Sequence, residues 1–265
     1  MSGAAQSDWA VGFRYRDIEL KITPERQAEK LACCLIDPAR YGGYVDLTHF
    51  CNEAILAATK SGLSIKGNVH TTDRITCEKR IALDQPIVMS GEITSVESVP
   101  RGQLIKSAFT FTCPDGSIPL RTERSSTRLD PSAPRLEQPR QKPAEPDLSA
   151  YTVVGQCAFE PDRVTKYSSE GGNAIHYDPD VAARFGFRAP IAGGLMGVRS
   201  LMAALCLDDG PPNILDMAIR FRRPMFWDET LDVMKSNGAD GQPSRLALVN
   251  SAGKVAIEAE VAAWS

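Results

Sequence analysis

The sequence predicts an α+β chain built from two similar halves, each an antiparallel sheet wrapped around one helix. Three observations carry this. A helical pattern followed by a run of period-two strands occurs twice, once on each side of a proline-rich stretch. That stretch, residues 130–147 (DPSAPRLEQPRQKPAEPD), holds five prolines and no apolar periodicity, as an extended solvated linker does. A proline-punctuated strand also follows the helix in each half, around Arg80–Ile87 and again around Arg220–Met225, a weak repeat on the scale of a whole domain. The expected division is residues 1–130, a linker over 131–150, and residues 151–265.

Taken in order, residues 1–17 read as a loose start leading into a first strand. Thr23-Pro24-Glu25-Arg26 has the pattern of a helix start, with Thr as N-cap and Pro at the first helical position, and predicts a short helix from Glu25 to about Leu31. Asp37-Pro38 and Tyr41-Gly42-Gly43-Tyr44 are turn chemistry. Asp46 is expected to cap a stronger helix, LTHFCNEAILAATKSGL, ending near Gly62 with Phe50, Ala54, Ala57 and Ala58 on its packing face. From Val69 to Leu129 the chain turns β-rich: RITCEKRIAL, IVMSGEITSVESV, QLIKSAFTFTC and PLRTERSSTRL alternate, with turns at Arg101-Gly102 and Pro114-Asp115-Gly116. After the linker a strand precedes Tyr167. A helix is expected from Gly194 to about Leu207, since Leu195, Val198, Leu201, Met202 and Leu205 recur three and four apart. Three β stretches close the chain: NILDMAIRFRRPMF, ETLDVMKSNGA and SRLALVNSAGKVAIEAEVAAW.

Composition narrows the function classes. A 43% apolar fraction in 265 residues is enough to bury a sizeable core. The formal net charge of -3, with no strongly basic stretch, leaves no electrostatic footprint for nucleic acid. No signal peptide is expected from MSGAAQSDWAVGF, and no apolar run approaches the ~20 residues that span a bilayer. The seven cysteines are scattered without a Cys-x-x-Cys pair, which predicts buried free thiols in a reducing, cytoplasmic setting. Three dispersed histidines without clustered partners argue against a metal site.

One segment concentrates chemistry: YSSEGGNAIHYDPDVAARFGFRAPIAGGLMGVRSLMAAL, from Tyr167 to Leu205. It pairs His176, framed by Asn173 and Asp178, with Gly193-Gly194 at a helix N-terminus. A histidine can move a proton, and the unpaired N–H groups of a helix start favour negative charge. Together they are a minimal kit for chemistry on a carbonyl or thioester.

The segment resembles the signature of the MaoC-like (R)-specific enoyl-CoA hydratases, or hydratase 2, of the hotdog fold. That family's loop reads roughly Ser-Gly-Asp-x-Asn-Pro-Ile-His-x-Asp, followed by Gly-Phe-x-x-Pro-Ile-Ala-His-Gly before its central helix. Here Ser169, Asn173, Ile175, His176 and Asp178 match the loop, and Gly186-Phe187, Pro190-Ile191-Ala192 and Gly194 match the approach to the helix. Gly171 stands where the family has its catalytic aspartate, with Glu170 beside it; Ala174 and Gly193 replace a proline and a histidine.

The resemblance implies a double hotdog whose first half lacks the catalytic loop and is widened to hold an acyl chain. It implies interconversion of a trans-2-enoyl-CoA and an (R)-3-hydroxyacyl-CoA by an acyl-CoA-binding homodimer that needs no cofactor beyond the substrate's CoA. His176 is the acid–base candidate, Glu170 the candidate replacement for the aspartate, and Gly194 the oxyanion donor. Asn173, Ser169, Gly193 and Arg222 are the substrate-binding candidates. Each has a plainer reading: Asn173 as a turn-former, Ser169 as loop scaffold, Gly193 as close packing, Arg222 as part of a solvated strand face with Arg220. Asp178 reads as a helix cap, and His49 and His70 lie outside any motif. Two other functions remain open, a silent acyl-CoA-binding subunit and a thioesterase using a helix carboxylate such as Glu53.

Overall fold

The structure, a computed structural model, describes residues 9–100, 102–130, 144–206 and 210–265. The very start of the chain, most of the expected linker, Arg101 and the expected helix end at Leu207 lie outside the described residues.

The first half runs β1 (Ile18–Leu20), α1 (Pro24–Ala32), α2 (Thr48–Lys60), β2 (Asn68–Cys77), β3 (Ile87–Val99), β4 (Gly102–Thr112) and β5 (Leu120–Leu129). The second runs β6 (Thr152–Ala158), α3 (Pro161–Ser168), α4 (Pro179–Arg184), α5 (Gly194–Ala203), β7 (Leu215–Phe221), β8 (Thr230–Asn237), β9 (Pro243–Asn250) and β10 (Val255–Trp264). All strands join one antiparallel sheet in the order β1-β3-β4-β5-β2-β7-β10-β9-β8-β6. Read inward from either end, the two halves have the same strand order. Their meeting line is β2 against β7, paired from Thr72↔Arg220 to Cys77↔Leu215. This edge-to-edge joint removes two edges that each half would otherwise expose.

The central helices α2 and α5 enter the sheet in equivalent ways. Val45 donates its N–H to the Ile81 carbonyl at 2.8 Å, and Ala192 donates to the Met225 carbonyl at 2.7 Å. One residue earlier, Tyr44 bridges Ala82 and Ile191 bridges Phe226. Pro86 and Pro224 both sit in the connections that carry these contacts. The expected packing face of α2 is buried: Phe50, Ala54, Ala57 and Ala58 are all at most 1% exposed. Phe50 meets Phe111 of β4 edge-on at 4.9 Å, the kind of aromatic burial worth about 1.5–3 kcal/mol per side chain. α5 is buried at every residue after Gly194.

Three expectations need correction. The strand expected over residues 74–83 is β2, displaced toward the N-terminus; past Cys77 the chain turns, with Glu78 N–H on the Pro119 carbonyl. A helix that the sequence reading missed, α3, carries Tyr167; its sign was Pro161 at the first helical position, the same sign that revealed Pro24. Asp46 lies upstream of α2. One carboxylate oxygen accepts from Thr48 N–H at 3.0 Å, and the other pairs with Arg199 of α5, both side chains being fully buried. Arg199 also donates from Nε to the Tyr167 hydroxyl at 3.0 Å, which in turn donates to Asn52 Oδ1 at 2.8 Å. This polar network ties α2, α3 and α5 together. Six of the seven cysteines are buried and all seven are free.

Candidate functional site

A chamber of about 280 Å³ opens where the two halves meet. The first half supplies Asn52, Ile55 and Leu56 from α2, Ile65 and residues 68–71 at the start of β2, and Arg124 and Ser126 from β5. The second supplies Ser168, Gly171, His176, Gly193, Gly194 and Phe221.

His176 sits in a 3-10 turn, Ala174–His176, that follows the loop after α3. Its Nδ1 lies 2.8 Å from the Ile191 carbonyl. A carbonyl only accepts, so Nδ1 carries the proton and Nε2 is left with the lone pair. Burial pushes the His176 pKa below the ordinary histidine value; the Ile191 carbonyl opposes the shift, and charge on His70 adds to it. The neutral form is therefore favoured near pH 7, with Nε2 as base.

Gly194 begins α5, and Gly193 caps it with no side-chain hydrogen bond. The first N–H groups of a helix have no acceptor within it. Glycine suits 194 because an added Cβ would lie 2.6 Å from Phe221 Cε1 and the ring would have to shift. At 193 an added Cβ would come within 3.3 Å of Ser168 Oγ. The glycine pair thus lets Phe221 and Ser168 close on the helix start, and both glycines line the chamber.

The remaining sequence candidates fare differently. Both amide atoms of Asn173 are engaged by the first half: Oδ1 accepts from Gly67 N–H at 3.4 Å, and Nδ2 donates to the Asn68 carbonyl at 3.2 Å. Asn173 therefore pins the histidine loop across the joint from within the chamber wall. Ser169 is exposed and outside the chamber lining; its neighbour Ser168 lines it. Glu170 lines the chamber, but its carboxylate is already engaged by two cations. Its carboxylate pairs with Arg26 and, at 3.1 Å, with Lys30. Burial alone would raise its pKa, but these two cations outweigh that and hold it below the usual range. Arg222 borders the chamber, yet its guanidinium binds both Glu258 oxygens at 2.9 and 3.0 Å and the Ala144 carbonyl at 2.7 Å. Arg220 reaches the same Glu258 at 3.7 Å, so one carboxylate serves both guanidiniums and Arg222 is held against the sheet and the residue 144 backbone. Asp178 caps α4 as expected, accepting from Asp180 and Val181 N–H. Glu53 pairs with Lys60 at 2.9 Å and is not part of the chamber wall. At Gly171 an added Cβ would meet only Ile65 Cδ1, at 3.6 Å, so the position is open and simply carries no carboxylate.

No protein-family model matches the chain, and no curated protein matches it. Solved structures do. HtdX of Mycobacterium tuberculosis superposes with a TM-score of 0.76 at 21% identity, over 92% of this chain and 98% of that one. A MaoC-like dehydratase superposes at 0.75 and 16% identity, over 98% and 100%. A conserved hypothetical protein of M. tuberculosis described as having a double hotdog fold superposes at 0.62 and 12% identity, over 96% of each chain. The fold is the double hotdog. In this double hotdog both halves wall one chamber, and only the second half supplies a helix that opens onto it through glycine.

Sequence reasoning missed one part of the wall. His70 of β2 lines the chamber, and its Nε2 lies 2.9 Å from Asp73 Oδ1. His70 also stacks on Phe221, with ring centroids 4.6 Å apart and planes at 18°. Three residues apart on a regular strand, a His and an Asp point to opposite faces. Here β2 carries a bulge, its pairing with β5 stepping from His70↔Ser126 to Thr72↔Ser125. The extra residue, Thr71, brings both side chains to one face. Among the described residues no group of three or more His, Cys, Asp or Glu is arranged to hold a metal ion, and no helix is long and apolar enough to cross a membrane.

Proposed function

We propose that the chain is a hydratase or dehydratase acting on an acyl-CoA thioester, interconverting a trans-2-enoyl-CoA and an (R)-3-hydroxyacyl-CoA. The observation that carries this is His176 in one chamber with the glycine start of α5, its Nδ1 fixed on the Ile191 carbonyl and Nε2 left as base. In this reading the thioester oxygen sits against the Gly194 N–H. Charge that develops there as C3 is attacked is met by the helix terminus. His176 Nε2 takes a proton from the attacking water. The acyl chain extends along the apolar wall of the first half, past Ile55, Leu56, Ile65 and Val69. The reaction uses no cofactor other than the substrate's own CoA, and two chains pair as a dimer.

A second reading rests on Gly171 and on the paired state of Glu170: without a carboxylate on the histidine loop, the chain is a silent acyl-CoA-binding subunit. The test is loss of the conjugated enoyl absorbance with short, long and branched trans-2-enoyl-CoAs. Turnover that falls about 100-fold or more in His176→Ala supports the hydratase. Binding of acyl-CoA without turnover at any chain length supports the silent subunit.

A further inference from the structure

The hydratase reading leaves a gap. Hydration moves two protons, one off the water and one onto C2, and His176 accounts for only the first. On the histidine loop Gly171 has no side chain, and Glu170, although it lines the chamber, is held by two cations that keep it ionised without a proton to give. The chamber wall of the first half does offer one.

We propose that His70, held by Asp73, is the second acid–base residue of the site, contributed by the half of the molecule that lacks the histidine loop. The inference rests on the hydratase reading. Three observations carry it. His70 and His176 line the same chamber. The bulge at Thr71 is what allows the His70–Asp73 hydrogen bond at all, and bulges of this kind re-aim side chains beside active sites. Finally, His70 stacks on Phe221, the same ring that closes against Gly194, so it stands next to the start of α5.

The geometry assigns each partner a task. With Nε2 engaged by Asp73, Nδ1 is the nitrogen left for the substrate. Asp73 touches no substrate; it is a positioning residue that fixes the ring and its tautomer, as a carboxylate does behind a catalytic histidine. Asp73 is 3% exposed, and its second oxygen has no hydrogen-bond partner among the described residues. Arg124, half-buried alongside, supplies the compensating charge: desolvation lowers its pKa and Asp73 opposes that shift.

The step balances. The water oxygen bonds to C3 while His176 Nε2 takes one water proton. The C2=C3 electron pair moves onto the thioester oxygen, where the Gly194 N–H holds it as an enolate. The enolate collapses, and C2 takes a proton from Nδ1 of the His70 imidazolium, leaving it neutral. His176 then gives its proton to solvent and His70 regains one, so that H and OH have been added across the double bond and no redox partner is needed.

The experiment measures kcat and KM on enoyl-CoA for the full chain and for His70→Gln, Asp73→Asn and the double variant. The double variant leaves a neutral amide pair in place of the buried dyad, guarding against a fold lost to an unpaired carboxylate, and thermal unfolding is followed for each. The expected result is a kcat lower by about 100-fold or more in His70→Gln and in the double variant. Asp73→Asn falls about 10–100-fold in kcat, with KM within a few-fold of the parent chain. A purely structural Asp73 would move the unfolding midpoint but not kcat alone. Folded His70→Gln or double variant with parental kcat, beside an inactive His176→Ala, overturns the dyad and leaves the hydratase reading standing. A parent chain inactive on every enoyl-CoA overturns both.

Discussion

The two halves solve the same packing problem and differ at one corresponding point. Matched through their equivalent entry contacts, Val45-Asp46-Leu47 of the first half corresponds to Ala192-Gly193-Gly194 of the second. In the first half that turn is closed: Asp46 and Leu47 are 0% and 1% exposed, and Asp46 reaches across to Arg199. In the second half it is open: two glycines bring Ser168 and Phe221 onto the helix start, and both line the chamber. One copy of the motif is the anchor between the two helices, and under the proposed function the other is the chemical end of the site. On that proposal a repeated fold divides stability and reactivity between positions that are structurally the same.

That contrast can be broken where it is strongest. Arg199→Met leaves Asp46 as a buried carboxylate without its cation, and the expected cost is about 3–5 kcal/mol, read by denaturant unfolding. A loss under 1 kcal/mol would mean that the pair does not anchor the halves. The corresponding positions Leu47 and Gly194 then sharpen it. Leu47→Ala should lower stability by about 2–5 kcal/mol through an unfilled core site. Gly194→Ala, whose Cβ would overlap Phe221, should cost only about 1–3 kcal/mol but lower kcat/KM disproportionately. Equal effects of the two on stability and on activity would erase the distinction.

A smaller effect comes from pH. His49 is pushed well below the ordinary histidine pKa, first by burial and then by Arg199, and His176 is lowered by burial. Their folded values lie under the unfolded one of about 6.5, so the unfolded chain binds protons more readily there. Stability is therefore complete above about pH 6.5 and declines as pH falls through the folded values. Denaturant midpoints at a series of pH values from neutral downward measure this. The kcat/KM profile should lose activity on the same acid side, as His176 takes up its proton. The smallest effect is at the joint itself: Arg74 pairs with Asp216 across β2 and β7 at 2.6 Å but is half exposed. Arg74→Ala should change stability by about 0–1 kcal/mol, because the joint rests on its ladder of backbone hydrogen bonds and not on this ion pair.

Much of the fold was legible because its signals are local. Alternation from Ile87 to Val99 became β3 over those same residues, and Pro24 after Thr23 opened α1 where expected, with Thr23 accepting from Arg26 N–H. His176 and Gly194 were legible as a histidine loop followed by a glycine at a helix start within the resembling motif, and both line the chamber. What stayed hidden depends on distant partners or on a single irregularity. Glu170 looked free until the fold brought Arg26 and Lys30 to it from the other half. The hydrogen bonds from Asn173 to residues 67 and 68 were hidden because those partners lie about a hundred positions away in the other half. The His70–Asp73 pair was invisible because strand periodicity separates the two side chains, and only a bulge, which sequence alternation does not reveal, brings them together.

If His176 and the open glycine turn of the second half make a working hydration site, the purified full chain hydrates enoyl-CoA and His176→Ala does not. Loss of the enoyl absorbance, followed for both proteins across chain lengths, decides this. Measurable turnover is expected on at least one chain length, reduced about 100-fold or more in the variant with acyl-CoA binding retained. Equal rates in the two proteins, or no turnover by the parent chain on any substrate that it binds, would contradict it.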